Sequence, residues 1–405
     1  MPAVHANSVA VTVNEVLALL LQLCRPLQTE RVTLDNALGR VLRETVHAPE
    51  DIPAFDCSAV DGYAVRLDDP RNRFRIVDEI RAGDWKPRQL EQGEAVRIAT
   101  GGALPCDGLQ VVMKEDVQPD GDFVRVIVRT PKTNIRLRGE NARAGQVLAG
   151  VGTIVRPGAL ALLASVGQIK PLVTRLPKVA HIVTGNEIVP PEQTPTPGQI
   201  RDSNSTLVSA FLGLRRIVPE RYVAPEDETC TRRVLEKLDD DVDLILISGG
   251  ASVGEHDFTV RLLESLGYTI HVRKVNARPG KPLVVAQSGR RLAFGLPGNP
   301  LAHFVCLNLY VHSALLTLAG CSAEPLFQNG RLATDLETDS ISRETFWPGR
   351  WQFADGTITL TPLRWASSGD LTSLANANAL IRVPPNSERL EAGSRVAFAP
   401  TDKIL

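Results

Sequence analysis

The chain has 405 residues, 43% hydrophobic, 22% charged and 5% aromatic, a length beyond a single hydrophobic core that implies roughly two to four domains and a composition that excludes a disordered chain. With 45 basic side chains against 46 acidic ones and a formal charge of -1, no global field draws it to nucleic acid or to an anionic membrane, so any anion site has to be local. Six cysteines (Cys24, Cys57, Cys106, Cys230, Cys306 and Cys321) stand apart without a C-x-x-C pair, which argues against zinc and a disulfide framework and fits a reducing cytoplasm.

In chain order, "VLALLLQL" (16–23) is too short to span a bilayer and reads as a helix. Thr12 and Glu15 have capping-box spacing before it, and Pro26 follows its end. A second short helix is expected over "LDNALGRVL" (34–42), then a proline-punctuated exit and a boundary near residue 48. Short alternating runs up to about 135, "FRIVDEI", "EAVRIAT", "LQVVMKEDV" and "FVRVIVRT", describe a β-rich insertion, residues 48–135. Helical character returns at "RPGALALLASVG" (156–167), with Pro157 in the first turn and Gly167 at the stop. Residues 136–176 are read as rejoining 1–47 in one discontinuous helical domain.

From 177 to 325, β-branched runs ("KVAHIV", "RIVPERYVA", "VDLILIS", "TIHVRKV", "PLVVAQ", "RLAFGL") alternate with helical stretches, which predicts a parallel or mostly parallel sheet covered on both faces. Residues 326–405 read as a small β domain, in which Asp355-Gly356 of "WQFADGTITLTPL" lies where a hairpin turn needs it. The fold class is therefore multidomain α/β plus β.

Ligands of an open α/β sheet gather beyond the carboxyl ends of its strands. Four segments there are expected to share one rim: Thr184-Gly185-Asn186-Glu187, Ser248 to Asp257, Asn276 to Lys281, and Pro297-Gly298-Asn299-Pro300 at the start of a long helix. Gly249, Gly250 and Gly254, with Ser252 between them, permit a close backbone approach to an oxyanion. Arg278 and Lys281 add charge, and the helix after Pro300 adds a favourable dipole. Glu187, Asp202 and Asp257 are hard oxygen donors suited to a divalent cation beside such an anion. Against these stand plainer readings. One glycine turn alone is more often only a turn, His256 reads as a turn or cap residue, and His303 with Cys306 reads as packing. Arg136 and Arg138 in "NIRLRGEN" are equally readable as a solvated face. In "FDCSAVDGYAVR" and "RIATGGALPCDG", Asp61 and Thr100 stand in stretches that composition and spacing leave as turns.

Taken together, "ALGRVL", "FDCSAVDGYAVR", "RIATGG", "NIRLRGEN", "GQIRDSN", "SGGASVGEHDF", "RPGKP", "LPGNP" and "SSGDLTSLANAN" resemble the molybdopterin molybdenumtransferase family, the MoeA-type proteins that include the E domain of gephyrin. The resemblance runs in family order across nearly the whole chain. It implies four domains: a discontinuous helical one, an elongated β insertion, an α/β domain similar to molybdopterin adenylyltransferases, and a C-terminal β barrel. It also implies a cytoplasmic homodimer in which the insertion of one protomer faces the α/β rim of the other.

The implied reaction takes adenylylated molybdopterin and molybdate, inserts the metal at the dithiolene and releases AMP with a magnesium-type cation. By motif, Asp61, Thr100, Glu187 and Asp257 match functional polar positions. Arg278 and Lys281 match a basic pair for oxyanions, Pro297 and Pro300 shape the pocket, and Ser368 lies in the C-terminal motif. Glu187 and Asp257 are expected to hold the cation, with Asp202 added to them, while Gly249, Gly250, Ser252, Gly254, Arg136 and Arg138 contribute to substrate binding. Implied partners are the adenylylated pterin, a molybdopterin adenylyltransferase and recipient molybdoenzymes, with no nucleic acid and no membrane. The chain departs from the family pattern at Asn141 and Asn186, where Asp is usual, at Glu226, where a shorter acid is usual, and at Pro348, where Arg is frequent, with Arg350 nearby. An amide keeps the oxygen and removes the charge, which weakens a cation site. Two other readings follow: a slow pterin-binding scaffold on the same fold, and an adenylyltransferase, which the β insertion and barrel oppose.

Overall fold

A computed structural model describes residues 10–225, 227–249, 256–321, 326–354 and 356–401, with only the backbone of His256 and Asp257. The chain divides into two units, one formed by residues 1–43, 152–160 and 169–405, the other by 44–151 and 161–168.

Helix α1, Val13–Leu23, begins with the expected capping box: Glu15 N donates to Thr12 Oγ1 at 3.3 Å and Thr12 N donates to Glu15 Oε2 at 2.7 Å. These bonds satisfy two donors that a helix start otherwise leaves open. Val13, Val16 and Leu20 share the buried stripe. The next expected helix is a single turn, Leu34–Ala37. Gly39 adopts φ +76°, and Val41 and Leu42 then enter bridges to Ile154 and Val173, so the chain is extended where a second turn was expected.

In the second unit, strands β1 (Gly62–Arg66), β2 (Arg73–Ile80), β3 (Glu94–Ile98), β4 (Leu109–Met113), β5 (Val117–Asp120) and β6 (Phe123–Val126) form one sheet in the order β4-β1-β3-β2-β6-β5. Alternation along these strands buries both faces, one with Ala64, Val96, Ile98 and Val111, the other with Val65, Phe74, Val112 and Val124. Helix α2, Pro157–Ser165, follows, and Gly167 at φ +72° ends it as read from the sequence.

The α/β layer of the first unit contains β7 (Val179–Thr184), α3 (Ser203–Gly213), β8 (Glu220–Ala224), α4 (Glu228–Glu236), β9 (Leu244–Ser248), α5 (His256–Ser265), β10 (Thr269–Val272), the short β11 (Ala277–Arg278), β12 (Val284–Ser288) and β13 (Arg291–Leu296). Its sheet order is β8-β7-β9-β13-β12-β10. The first four strands are parallel, while β12 is antiparallel to both β13 and β10. The fully buried faces of β7 and β9 explain their unbroken apolar runs. A long helix follows as α6 (Pro300–Cys306), a π-helical turn (Leu307–Val311) and α7 (His312–Ala319). By length and composition Pro300–Ala319 would cross a bilayer, yet 78% of it is buried. It belongs to the core that also holds Val16 and Leu20 of α1 and Leu246 and Phe294 of the sheet.

Strands β14 (Gln328–Leu332), β15 (Glu344–Ala354), β16 (Thr357–Pro362), β17 (Ala379–Val383) and β18 (Arg395–Pro400) run in the order β15-β16-β14-β18-β17, and β17 pairs back onto β15, closing a barrel. Ala354 opposes Thr357 across a two-residue turn in which Gly356 has φ +74°; Asp355 lies outside the described residues. β11 adds to the barrel beside β15, pairing Ala277 with Glu344 and Arg278 with Thr345.

Candidate functional site

Parallel β7, β9 and β13 end on one edge of the sheet, and β10 runs with them because two antiparallel steps separate it from β13. After β7 the chain goes to β8 on one side; after β9 it goes to β10 on the other. The switch point between β7 and β9 is where such folds bind ligands. There Gly249 has φ +138°, and a Cβ on it would stand 2.1 Å from Thr184 O and 2.2 Å from Thr184 Oγ1, so only glycine allows the two strand ends to meet. Gly185 has φ +142°, and a Cβ there would meet the exposed Glu187 carboxylate at 2.8 Å, which places Glu187 folded back over the rim. Asn186 is exposed beside it. Gly250, Ser252 and Gly254 lie outside the described residues, as do Glu226 and the side chain of Asp257.

Asp202 has a different task from the metal ligation expected of it. It is the N-cap of α3: Oδ1 accepts from Ser205 N at 2.9 Å and Oδ2 accepts from Arg221 Nη2 at 2.5 Å. The carboxylate is almost fully buried and each oxygen is engaged, so Asp202 is taken up by the helix cap and the ion pair with Arg221. Among the described residues no three His, Cys, Asp or Glu side chains are grouped to hold a metal.

Arg278, on β11, forms an ion pair with Asp339 and lies over the Trp365 indole at 5.3 Å. Pairing of β11 with β15 brings up Arg343, which sequence reasoning missed. Glu344 N donates to Asn276 O at 3.2 Å and Asn276 Nδ2 donates to Ser342 O at 3.2 Å, so Arg343 stands opposite Asn276 on the face that carries Arg278. Burial, and then the neighbouring Arg278 charge, hold its pKa below the ordinary guanidinium value. Lys281 is exposed three residues after Arg278.

Ser368 joins the same region. Asn299 Nδ2 donates to Ser368 Oγ at 2.7 Å, Leu301 N donates to Ser368 O at 3.0 Å, and Asn204 Nδ2 donates to Gly298 O at 2.7 Å. The turn from Pro297 to Pro300 is thus tied to the loop between barrel strands β16 and β17, with Pro300 opening α6. Asp370 organises that loop, accepting from Thr372 N at 2.8 Å, Thr372 Oγ1 at 2.6 Å and Ala366 N at 3.1 Å. His303 and Cys306 are fully buried, and burial pushes the Cys306 thiol up, so this pair is packed rather than exposed to a ligand.

In the second unit Asp61 and Thr100 do come together. Thr100 N and Thr100 Oγ1 both donate to Asp61 Oδ1 at 2.8 Å, and Lys114 Nζ stands 3.4 Å from Oδ2. The two Thr100 bonds, with help from Lys114, bring Asp61 down to about 2. Lys114 was not singled out from the sequence. Arg136 pairs with Glu140 at 2.9 Å and Arg138 with Asp51 at 2.8 Å, while Arg138 N donates to Asp56 Oδ1 at 2.6 Å. Both arginines are exposed, but each is held by a carboxylate.

The α/β layer and the closed barrel agree with what known proteins show. Family models described as "MoeA N-terminal region (domain I and II)", "Probable molybdopterin binding domain" and "MoeA C-terminal region (domain IV)" match residues 11–167, 180–317 and 329–401. A Nostoc sp. protein named molybdopterin molybdenumtransferase is 35% identical over 98% of this chain and 94% of its own length. A Bacillus subtilis protein of the same name is 34% identical over 91% of this chain and 89% of its own. The crystal structure of the molybdopterin biosynthesis moeA protein from Pyrococcus horikoshii superposes with a TM-score of 0.80 at 28% identity, covering 97% of this chain and all of that one. Sequence motifs, switch-point architecture, closed barrel and full-length relatives converge: the chain belongs to the MoeA-type molybdopterin molybdenumtransferase family.

Proposed function

We propose that this chain inserts molybdenum from molybdate into adenylylated molybdopterin, with release of AMP, in molybdenum cofactor biosynthesis. What carries the reading is full-length similarity to transferases of that name, joined to a glycine-lined switch point and to the basic groups Arg278 and Arg343 at the β11–β15 pairing. Molybdate is a tetrahedral dianion, and Arg278, Arg343 and Lys281 supply positive charge where the α/β domain meets the barrel. Asp339 fixes the Arg278 fork from one side and Trp365 from its face. Ser368, bonded to Asn299 in the turn from Pro297 to Pro300, would wall the substrate site, and the Gly249 amide would meet its anionic group.

Glu187 and Asp257 would hold a magnesium-type ion, which supplies charge neutralisation at the phosphoanhydride. The exposed, back-folded Glu187 carboxylate is a fitting hard donor. Water attacks the phosphorus of the adenylate as its P–O bond to the pterin phosphate breaks, freeing AMP and a proton to solvent; the two dithiolene sulfurs then bond molybdenum as one molybdate oxygen leaves as water with the two thiol protons. A cytoplasmic homodimer, with the Asp61, Thr100 and Lys114 group and the paired Arg136 and Arg138 completing a partner's rim, belongs to the same proposal. So does the four-domain division at residues 48, 136, 177 and 326, and delivery of substrate by an adenylyltransferase and of product to molybdoenzymes.

The test is AMP release and cofactor formation by purified protein given adenylylated molybdopterin, with and without molybdate and magnesium. Molybdate-dependent AMP release coupled to active cofactor is expected. Retention of the nucleotide without turnover would make the protein a pterin-binding scaffold and direct attention to Asn141 and Asn186.

A further inference from the structure

The face of the α/β sheet beneath the rim is apolar, lined by Val179, Leu244, Leu246, Leu292, Phe294 and Leu296. Two imidazoles interrupt it. His181, on β7, and His303, on α6, are both fully buried. The ring of His181 is 2.7 Å from Ser248 Oγ through Nε2, and Ser248 is the last residue of β9, immediately before Gly249. His303 Nδ1 donates to Pro297 O at 3.0 Å, the first residue of the second rim turn. Each of the two turns is therefore gripped from below by one histidine.

A buried imidazole is a costly way to fill space. Here the second nitrogen of each ring, His181 Nδ1 and His303 Nε2, has no hydrogen-bond partner among the described residues. A leucine would occupy either place without that penalty. Polar groups that violate the local apolar pattern without a full set of partners mark positions kept for what they hold. Burial keeps both rings neutral, lowering His181 to about 3 and His303 to about 4, so neither grip changes across ordinary working pH.

We propose that His181 and His303 are positioning residues, a neutral imidazole pair that sets the Ser248–Gly249 and Pro297–Asn299 turns at the height where the adenylylated pterin binds. The function assigned to the rim rests on the reading given above, whereas the grip on the two turns does not. His303 acts through the Pro297 carbonyl on a turn whose other fastenings are Asn204 and Ser368. His181 acts through Ser248 on the strand end packed against Thr184.

Two amide variants separate the grip from mere polarity or volume. His303→Asn places its amide nitrogen near the Nδ1 position and keeps the bond to Pro297 O; His303→Gln carries the amide on to the Nε2 position and loses it. Hydrogen exchange of the free protein at Gly298 to Leu301 should rise about tenfold in His303→Gln and stay near wild type in His303→Asn. With substrate, His303→Gln should raise KM for adenylylated molybdopterin about tenfold with kcat changed less than about threefold, and His303→Asn should restore it. His181→Leu should likewise speed exchange at Ser248 and Gly249. Equal behaviour of the Asn and Gln variants in exchange would overturn the proposal, whether or not the protein turns over substrate. If exchange separates them but wild type neither binds nor consumes the adenylylated pterin, the grip stands and the assigned reaction falls.

Discussion

Asp61 shows how much a single side chain is altered by its neighbours. Its Oδ1 takes two hydrogen bonds from Thr100 and its Oδ2 faces Lys114, so its carboxylate stays charged down to about pH 2. Asp61→Ala is expected to cut AMP release on the order of 100-fold, the loss typical when one preorganised polar group leaves a reacting site. Because the residue is exposed, its thermal midpoint should hardly move. Loss of fold together with activity would reassign Asp61 to structure. Of this group of three, Asp61 and Thr100 were marked by sequence, but Lys114 was not, since a lysine next to a strand carries no pattern of its own. Arg343 was missed for a related reason. Its importance lies in standing opposite Asn276 across a pairing of distant segments, which no local periodicity records. Asp202 was marked as a ligand because acids near a rim invite that reading, whereas an acid followed by a helix is equally an N-cap, and the capping geometry is what the structure displays.

At the level of elements, local signals with a stereochemical cause were dependable. The capping box at Thr12, the Pro157 to Gly167 limits and the turn before Thr357 all depend on one or two residues acting through their own backbone. Strand direction depends on the whole sheet, so the antiparallel placement of β12 inside a mostly parallel layer could not be read from its apolar run. "RIVPERYVA" likewise yields a strand only from Glu220, after Pro219. The meeting of β7 and β9 through Gly249 makes a sharp prediction. Gly249→Ala should destabilise by roughly 1–3 kcal/mol through backbone strain and overpacking. Gly289→Ala, also in the left-handed region at φ +58° but with nothing within 4 Å of its added methyl, should lose about 1 kcal/mol or less. Urea unfolding of the two variants gives the comparison, and equal losses would show that Thr184 moves aside at little cost.

For the whole molecule, the two buried histidines tie stability to acidity. In the unfolded chain each takes a proton near its ordinary value of 6.5; in the folded chain burial delays protonation to about 3 for His181 and about 4 for His303. Between those limits the unfolded state binds more protons, so their effect on stability is fully present above 6.5 and is lost as pH falls toward about 4 for His303 and about 3 for His181. Asp202 opposes this loss for both rings, and for His181 the Arg221 charge adds to it. Thermal midpoints of wild type and His303→Asn, followed from pH 7 to pH 4, should converge as the medium is acidified. A constant gap would mean that His303 is not held neutral. The interleaving of the two units carries a consequence for synthesis. A ribosome has delivered all of the second unit once residue 168 has emerged, whereas α1, made before it, shares its core with residues 300–319. For most of translation the apolar stripe of Val13, Val16 and Leu20 lacks its eventual covering. The nascent chain is therefore a natural client for a chaperone at α1, and truncation before the long helix strands that apolar stripe.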